Sequence, residues 1–203
     1  MSDPRSFYTE RIPAQFNRAL EEQAARGDAA AKLLEDMRAV CATLCVVVEG
    51  DAVDTFFLNV EQGRMTAGDQ AQHPPFLTLV QDRAAFEVLE RESGDSALGF
   101  LGGMAGMAGE MKLTQTRIDN LADLKGAIRF ELTGEGGFSM LTHFGSDPIP
   151  EQPNCSIRVD ADAYRRLRSG ELAAQEAFMG GQIQIDGDMQ MAMQLALAAL
   201  SPD

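Results

Sequence analysis

The sequence contains little cysteine, little histidine and few basic residues. Its 203 residues include 3 cysteines, 2 histidines and 17 lysines and arginines against 31 acidic residues, which gives a formal net charge of −14. An odd number of cysteines at this density does not fit a disulfide framework, so we interpret Cys41, Cys45 and Cys155 as reduced thiols. A field of this sign repels phosphate backbones and anionic headgroups. Nucleic-acid binding is therefore disfavoured, and a basic protein partner is favoured over an anionic membrane.

Long hydrophobic runs and targeting signals are also missing. No 18 apolar residues follow one another, and glycines interrupt the weakly polar stretch 97–108, so no membrane-spanning segment is predicted. The N-terminus lacks a basic region followed by an apolar run, and the C-terminus carries no address signal. We therefore expect a soluble, cytoplasmic protein without stable membrane insertion. With 45% hydrophobic residues, the chain can bury a core as one elaborated domain or two small ones.

Residue types that carry catalysis or bind metals do not cluster along the chain. His73 and His143 are the two histidines, and neither has partners for a metal site or a cysteine nucleophile. The glycines at 99–106 follow a predicted helix rather than a strand, and no Gly-Lys-Ser/Thr occurs, which excludes a dinucleotide fingerprint and a P-loop. The pair Asp186 and Asp188 lacks the rest of a calcium loop. We predict no catalytic residue, no metal site and no cofactor, and hence no enzyme.

Hydrophobic periodicity predicts an α+β protein built from two similar series of elements. The first series is predicted as helices over 12–41, a hairpin of 43–49 and 53–60, a strand at 76–80, and helices at 82–92 and 95–107. The second is predicted as strands at 128–133, 138–144 and 156–159, helices at 160–168 and 171–178, a strand at 182–186 and a helix at 188–200. Residues 111–116 fit either a strand or a helix.

A direct comparison of the two series indicates an internal repeat. Residues 79–103 align with 157–181 without a gap, at an offset of 78 residues. The six identities are Asp82 with Asp160, Ala85 with Ala163, Leu89 with Leu167, Phe100 with Phe178, Gly102 with Gly180 and Gly103 with Gly181. Two amphipathic helix pairs could match in this way by chance, and that alternative stays open. We divide the chain into a first half, residues 1–118, and a second half, residues 119–203, which can pack as one unit.

The end of the chain resembles the lipid-binding domain of the sterol carrier protein type two family. The resemblance is carried by residues 155–200, above all by a helix ending in Ala177-Phe178, two glycines, the alternating strand 182–186, Gly187-Asp188 and a final helix rich in Ala and Met. It implies helices over a curved mixed sheet, with an apolar tunnel for a lipid between them. Residues 10–118 would be a diverged first copy.

This resemblance implies non-catalytic binding and carriage of a hydrophobic ligand: a fatty acid, an acyl-CoA, an isoprenoid or sterol, or a phospholipid. Methionine is frequent, at 11 residues, and its unbranched side chain adapts to irregular apolar ligands. The predicted ligand-binding residues are Phe178, Met179, Ile183, Ile185, Met189 and Met193, together with Phe100, Leu101 and Met104. Two alternatives remain. One is an interaction or accessory module of a lipid or quinone metabolism complex, with a cavity filled by side chains. The other is an enzyme acting on acyl substrates, suggested only by relatives fused to enzymes.

Overall fold

The computed structural model describes residues 3–25, 31–93, 113–134 and 136–200. The strands in these ranges are β1 Cys41–Glu49, β2 Asp54–Glu61, β3 Arg64–Gly68, β4 Pro75–Asp82, β5 Gly126–Thr133, β6 Phe138–Phe144, β7 Cys155–Asp160 and β8 Ile183–Gly187. The helices are α1 Pro4–Ser6, continued by a π-helical turn Phe7–Arg11 into α2 Ile12–Ala25, then α3 Ala31–Arg38, α4 Arg83–Ser93, α5 Gln115–Ala122, α6 Ala161–Ser169, α7 Ala174–Met179 and α8 Met189–Leu200.

All eight strands belong to one mixed sheet, in the order β3-β2-β1-β4-β6-β5-β7-β8. β1 pairs with β2 antiparallel and with β4 parallel, and β5 pairs in the same way with β6 and β7. The antiparallel pair β4 and β6 joins the first half of the chain to the second. The α+β class predicted from the sequence is confirmed.

One face of the sheet carries the hydrophobic core. The register places Val46, Leu79, Thr142, Ile128 and Cys155 side by side on neighbouring strands, and all five are buried. The helices add further side chains to the same core, among them Phe16, Phe86, Tyr164 and Leu195. Alternate residues of a strand point to opposite faces of the sheet, so the buried residues of each strand share one face. This face packs against the helices, and together they form the interior.

The opposite face is polar where β5, β7 and β8 form it. Arg158 of β7 lies between Glu131 of β5 and Asp186 of β8 and forms ion pairs with both carboxylates. On the same face of β1 and β2, Thr43 donates a hydrogen bond to Asn59 over 2.6 Å, and the loop that precedes β4 is bonded to this pair. In the described ranges, partly exposed ion pairs and the loop before β4 therefore occupy parts of this second face.

The predicted elements are largely confirmed, with several differences. The helical residues 4–11 before α2 were not predicted. The helix predicted to reach residue 41 ends at Arg38, because the β-branched run after it forms β1 and Cys41 already belongs to that strand. Strand β3 was not predicted, since only Met65 of its five residues is a buried apolar side chain. Helix α5 was not predicted either. It starts from the side-chain cap of Thr114, and two of its apolar residues, Ile118 and Leu121, are buried. The predicted helix at 95–107 lies outside the described residues.

Candidate functional site

The last three elements of the chain expose large apolar side chains. Phe178 and Met179, at the end of α7, are 43% and 79% exposed, and Met189, Met193 and Leu197 on α8 are 41%, 60% and 66% exposed. Single exposed apolar residues are ordinary, but several on adjoining elements form a patch of the kind that marks a binding surface.

Helix α8 carries apolar residues on both its core-facing and its outer side. Because only one side can face the core, apolar residues on the outer side stay exposed. Its core-facing side is formed by Met191, Ala192, Leu195 and Ala198, which are buried. Met189, Met193 and Leu197 follow one another at four-residue spacing and line the outer side. Asp188 caps this helix, since its Oδ1 accepts a hydrogen bond from the Met191 amide over 3.1 Å. The cap fixes where the helix begins.

Strand β8 links α7 to α8. Ile183 and Ile185 pair with Val159 and Ile157 of β7, and both are half-buried because β8 is the last strand of the sheet. The Gln182 amide donates to the Ala177 carbonyl over 2.8 Å, which fixes the turn between α7 and β8. The alternation of apolar and polar residues predicted for this strand is confirmed.

The six ligand-binding residues predicted in the second half therefore lie on β8, the last strand of the sheet, and on α7 and α8, each of which contacts β8. We call these six residues together with Leu197 the apolar end surface: Phe178, Met179, Ile183, Ile185, Met189, Met193 and Leu197. The sequence analysis missed Leu197, although its spacing of four residues from Met193 could have identified it. The other predicted residues, Phe100, Leu101 and Met104, lie outside the described residues.

Open cavities near the second half include two that border α5. One of about 290 Å³ between α5 and α8 is lined by Leu124, Leu197 and Ala198, together with polar residues such as Gln194. It reaches the apolar end surface at Leu197. The other, of about 490 Å³ at the start of β4, is lined by apolar residues such as Phe76 and by the carboxylates of Asp119, Asp123 and Asp147.

The core between sheet and helices is filled by side chains in the described part of the chain. Phe86, Phe144 and Tyr164 are among its largest residues, and each is at most 1% exposed. The resemblance implies an apolar tunnel between these helices and the sheet, and that tunnel remains a prediction.

The titratable side chains near these cavities have structural partners. His73 Nε2 lies 3.1 Å from Glu61 Oε1, and burial lowers the pKa of His143, an effect that Asp147 partly offsets. Burial raises the pKa of the Cys155 thiol to about 11. Among the residues that the structure describes, no three His, Cys, Asp or Glu side chains are placed to hold a metal ion.

The family relationship follows from the second half of the chain. Residues 110–199 match the model of the SCP-2 sterol transfer family. This part of the chain, which is less than half of it, is similar to that family. The matched residues include all of the apolar end surface and begin well before residue 155, where the resemblance in the sequence starts. The first half up to residue 109 lies outside the match.

Solved structures of similar proteins include two sterol carrier proteins. Sterol Carrier Protein 2 Like 2 from Aedes aegypti is 15% identical, with 56% of this chain and 94% of that chain covered and a TM-score of 0.34. Sterol Carrier Protein 2 from Yarrowia lipolytica, in its apo form, is 16% identical, with 51% and 90% covered and a TM-score of 0.33. No curated protein sequence matches the chain. Within the described ranges, no helix is long and apolar enough to cross a membrane.

Proposed function

We propose that this protein binds and carries a hydrophobic ligand without catalysing a reaction on it. The candidate ligands are a fatty acid, an acyl-CoA, an isoprenoid or sterol, or a phospholipid. The observation that carries the proposal is the apolar end surface, which leaves five large apolar side chains at least 41% exposed within the segment that matches a sterol transfer family. Contact with a lipid would remove this apolar area from water, which is the main driving force for binding such ligands.

The expected affinity follows from the size of a lipid tail. Burying a sixteen-carbon chain would supply roughly 12 kcal/mol before losses, at about 0.8 kcal/mol for each methylene group. Ordering the tail and removing it from a membrane offset much of this gain. We therefore expect a dissociation constant near micromolar, which also allows release. A titration that finds no binding below about 100 μM, or ~5.5 kcal/mol, would contradict the proposal.

The first experiment is native mass spectrometry of the purified protein, followed by organic extraction and lipid identification. We expect an additional mass of roughly 250 to 900 Da that extraction removes, which fits ligands that pockets of about 300 to 1,000 Å³ largely enclose. A polypeptide mass that stays unchanged after incubation with mixed lipids would contradict lipid carriage.

A pair of variants on α8 tests the site itself. Met193→Glu places a charge in the apolar end surface, and we expect it to reduce lipid binding about tenfold or more because a buried carboxylate has to be desolvated. Gln190→Glu is the matched control, since it adds the same charge to an exposed polar position of the same helix. Equal affinities for the two variants would show that the lipid binds elsewhere.

The net charge of the protein predicts to which kind of acceptor it passes its ligand. With a net charge of −14, the protein is repelled by anionic bilayers, and we propose that it passes its ligand to a basic protein partner. Transfer of a fluorescent fatty acid to liposomes should slow as the anionic lipid fraction rises. Faster transfer to anionic liposomes would contradict this route.

The second candidate function is an interaction module, and the filled core favours it. If side chains occupy the space between sheet and helices in solution, the apolar end surface is free to bind another protein of a lipid or quinone metabolism complex. Mass spectrometry separates the two functions, since only the carrier retains an extractable lipid.

A further inference from the structure

Charged residues are almost absent from the segment that carries the apolar end surface. They make up 24% of the sequence, but residues 177–200 include only Asp186 and Asp188. Asp186 forms an ion pair with Arg158, and Asp188 caps α8. A basic partner protein therefore finds little here to attract it. Two copies of this chain, in contrast, would approach one another at this segment with little of the repulsion that a net charge of −14 causes elsewhere.

Strand β8 of this segment directs backbone groups away from the sheet. The Asp188 amide donates to the Asn154 carbonyl over 3.0 Å, one position beyond the paired residues of β7 and β8. Because bonded positions alternate along an antiparallel pair, the even-numbered residues of β8 bond to β7. The amides and carbonyls of Ile183 and Ile185 therefore point outward, on the side where no strand of the described sheet pairs with β8.

The features that protect many strand edges from pairing are missing from β8. Natural edge strands often carry lysine, proline or a charge directed at the edge. The five residues of β8 include no Lys, Arg or Pro, and the carboxylate of Asp186 is bound to Arg158 on the neighbouring strand β7. The other outermost strand of the described sheet, β3, begins with the exposed cation Arg64. Of these two edges, β8 is therefore the one that is open to pairing.

We infer that a second copy of this chain pairs with β8, antiparallel and centred on Ile185, so that the two sheets continue into one another. An antiparallel pair of identical strands has a two-fold axis, and both copies then use the same residues. With Ile185 opposite its own copy, Ile183 lies opposite Gly187, and Asp186 lies opposite Gln184. The two Asp186 carboxylates thus avoid one another, and each faces a carboxamide that can donate a hydrogen bond to it.

The same contact brings apolar side chains of both copies together. Ile183 and Ile185 are half-buried in one copy, and Phe178 and Met179 are exposed at the end of α7, which contacts β8. Removal of these side chains from water favours association. Because all four residues belong to the apolar end surface, the second copy and the proposed lipid compete for it. The inference rests on the proposed function only for this competition.

Sedimentation velocity of the full chain, freed of lipid on a hydrophobic resin, measures the association. We expect the mass to rise with protein concentration from the 22.0 kDa of one copy to twice that value. A protein that stays monomeric at every concentration would overturn the inference. Addition of hexadecanoate should convert the dimer to monomers, because the fatty acid and the second copy contact the same side chains.

Three variants test the position of the contact. Ile185→Lys places two ammonium groups opposite one another at the two-fold axis and should abolish the dimer. Gln184→Glu places a carboxylate opposite Asp186 of the second copy and should weaken the dimer roughly tenfold. This variant preserves the fold, because Gln184 is exposed and lies opposite Arg158 of its own sheet. Thr66→Lys is the matched control, since it adds a lysine to an exposed position of β3 and should leave the dimer intact.

The remaining outcomes separate this inference from lipid carriage. A dimer that Ile185→Lys and Gln184→Glu both leave unchanged would show that the copies meet elsewhere, and would overturn the inference. A dimer that persists while native mass spectrometry detects bound hexadecanoate would overturn the shared surface but not lipid carriage. A dimer that responds to the variants as expected, in a protein that binds no lipid, would support the inference and refute the proposed function.

Discussion

Two buried threonines of the sheet allow a sharp comparison of polar groups with and without partners. Thr43 is 0% exposed, donates to Asn59 Oδ1 over 2.6 Å, and accepts from the His73 amide over 3.1 Å. Thr142 is 3% exposed, and its hydroxyl has no partner. The substitution Thr→Val replaces the hydroxyl by a methyl group of similar size. The same chemical change is therefore made once at a hydrogen-bonded hydroxyl and once at a hydroxyl without a partner.

The two variants are expected to change the free energy of unfolding by different amounts. Thr43→Val removes two hydrogen bonds and leaves the His73 amide without this partner, although Asn59 Oδ1 still accepts from the Gln72 amide, and the change should cost about 2 to 3 kcal/mol. In a chain of this length, that corresponds to a fall in Tm of roughly 4 to 12 °C. Thr142→Val removes an unpaired hydroxyl and should leave the free energy of unfolding within about 0.5 kcal/mol of wild type, or raise it.

Urea denaturation of the ligand-free protein, followed by far-UV circular dichroism, measures both values. The slope of the unfolding free energy against urea should be the same for all three proteins, because each exposes the same surface on unfolding. A loss for Thr142→Val as large as that for Thr43→Val would refute the reasoning, since it would show that Thr142 has a partner in solution.

Four further predictions concern cysteines, a helix cap and a glycine. Because the unfolded Cys155 thiol ionises near its ordinary pKa of 9 and the buried thiol near 11, its contribution to stability is present below pH 9 and is lost as the pH rises to 11. Denaturation of wild-type protein and Cys155→Ala between pH 8 and pH 11 measures that loss, and parallel pH profiles would contradict it. At pH 8, exposed Cys41 should react with a thiol reagent much faster than buried Cys155, and similar rates would refute the burial. Asp160→Ala removes the cap of α6 and should lower the free energy of unfolding by about 1 kcal/mol in a urea titration, whereas Asp160→Asn should retain most of it. Gly187→Ala should be destabilising in the same assay, because φ is +94° there and a Cβ would lie 2.5 Å from the Asn154 carbonyl oxygen; an unchanged midpoint would refute this.

Local signals in the sequence predicted the second half well. The alternation around Ile183 and Ile185 identified β8, and Gly187-Asp188 was recognised as the link between this strand and α8. Each of these signals depends on neighbouring residues only, so it can be recognised in the sequence. Which side of α8 stays exposed could not be predicted, because apolar residues occupy both sides of that helix.

Long-range pairing explains what the sequence analysis missed at the junction of the halves. The predicted strand ended at Val80, because Gln81 interrupts the apolar run, but β4 continues to Asp82 and Gln81 is buried in the core. Its burial depends on β6, which lies almost 60 residues further along the chain. A polar residue of this kind is assigned to the surface until the pairing of its strand is known.

The pairing of β4 with β6 also has a consequence for the two halves as separate molecules. In the described sheet only β3 and β8 are outermost, so the junction conceals the backbone edges that each half would otherwise present. A strand edge with unpaired amides and carbonyls is a template for association with other chains. Residues 110–199 produced on their own would expose the edge of β6 and should self-associate. By covering this strand edge, the first half therefore protects the second half from self-association through β6.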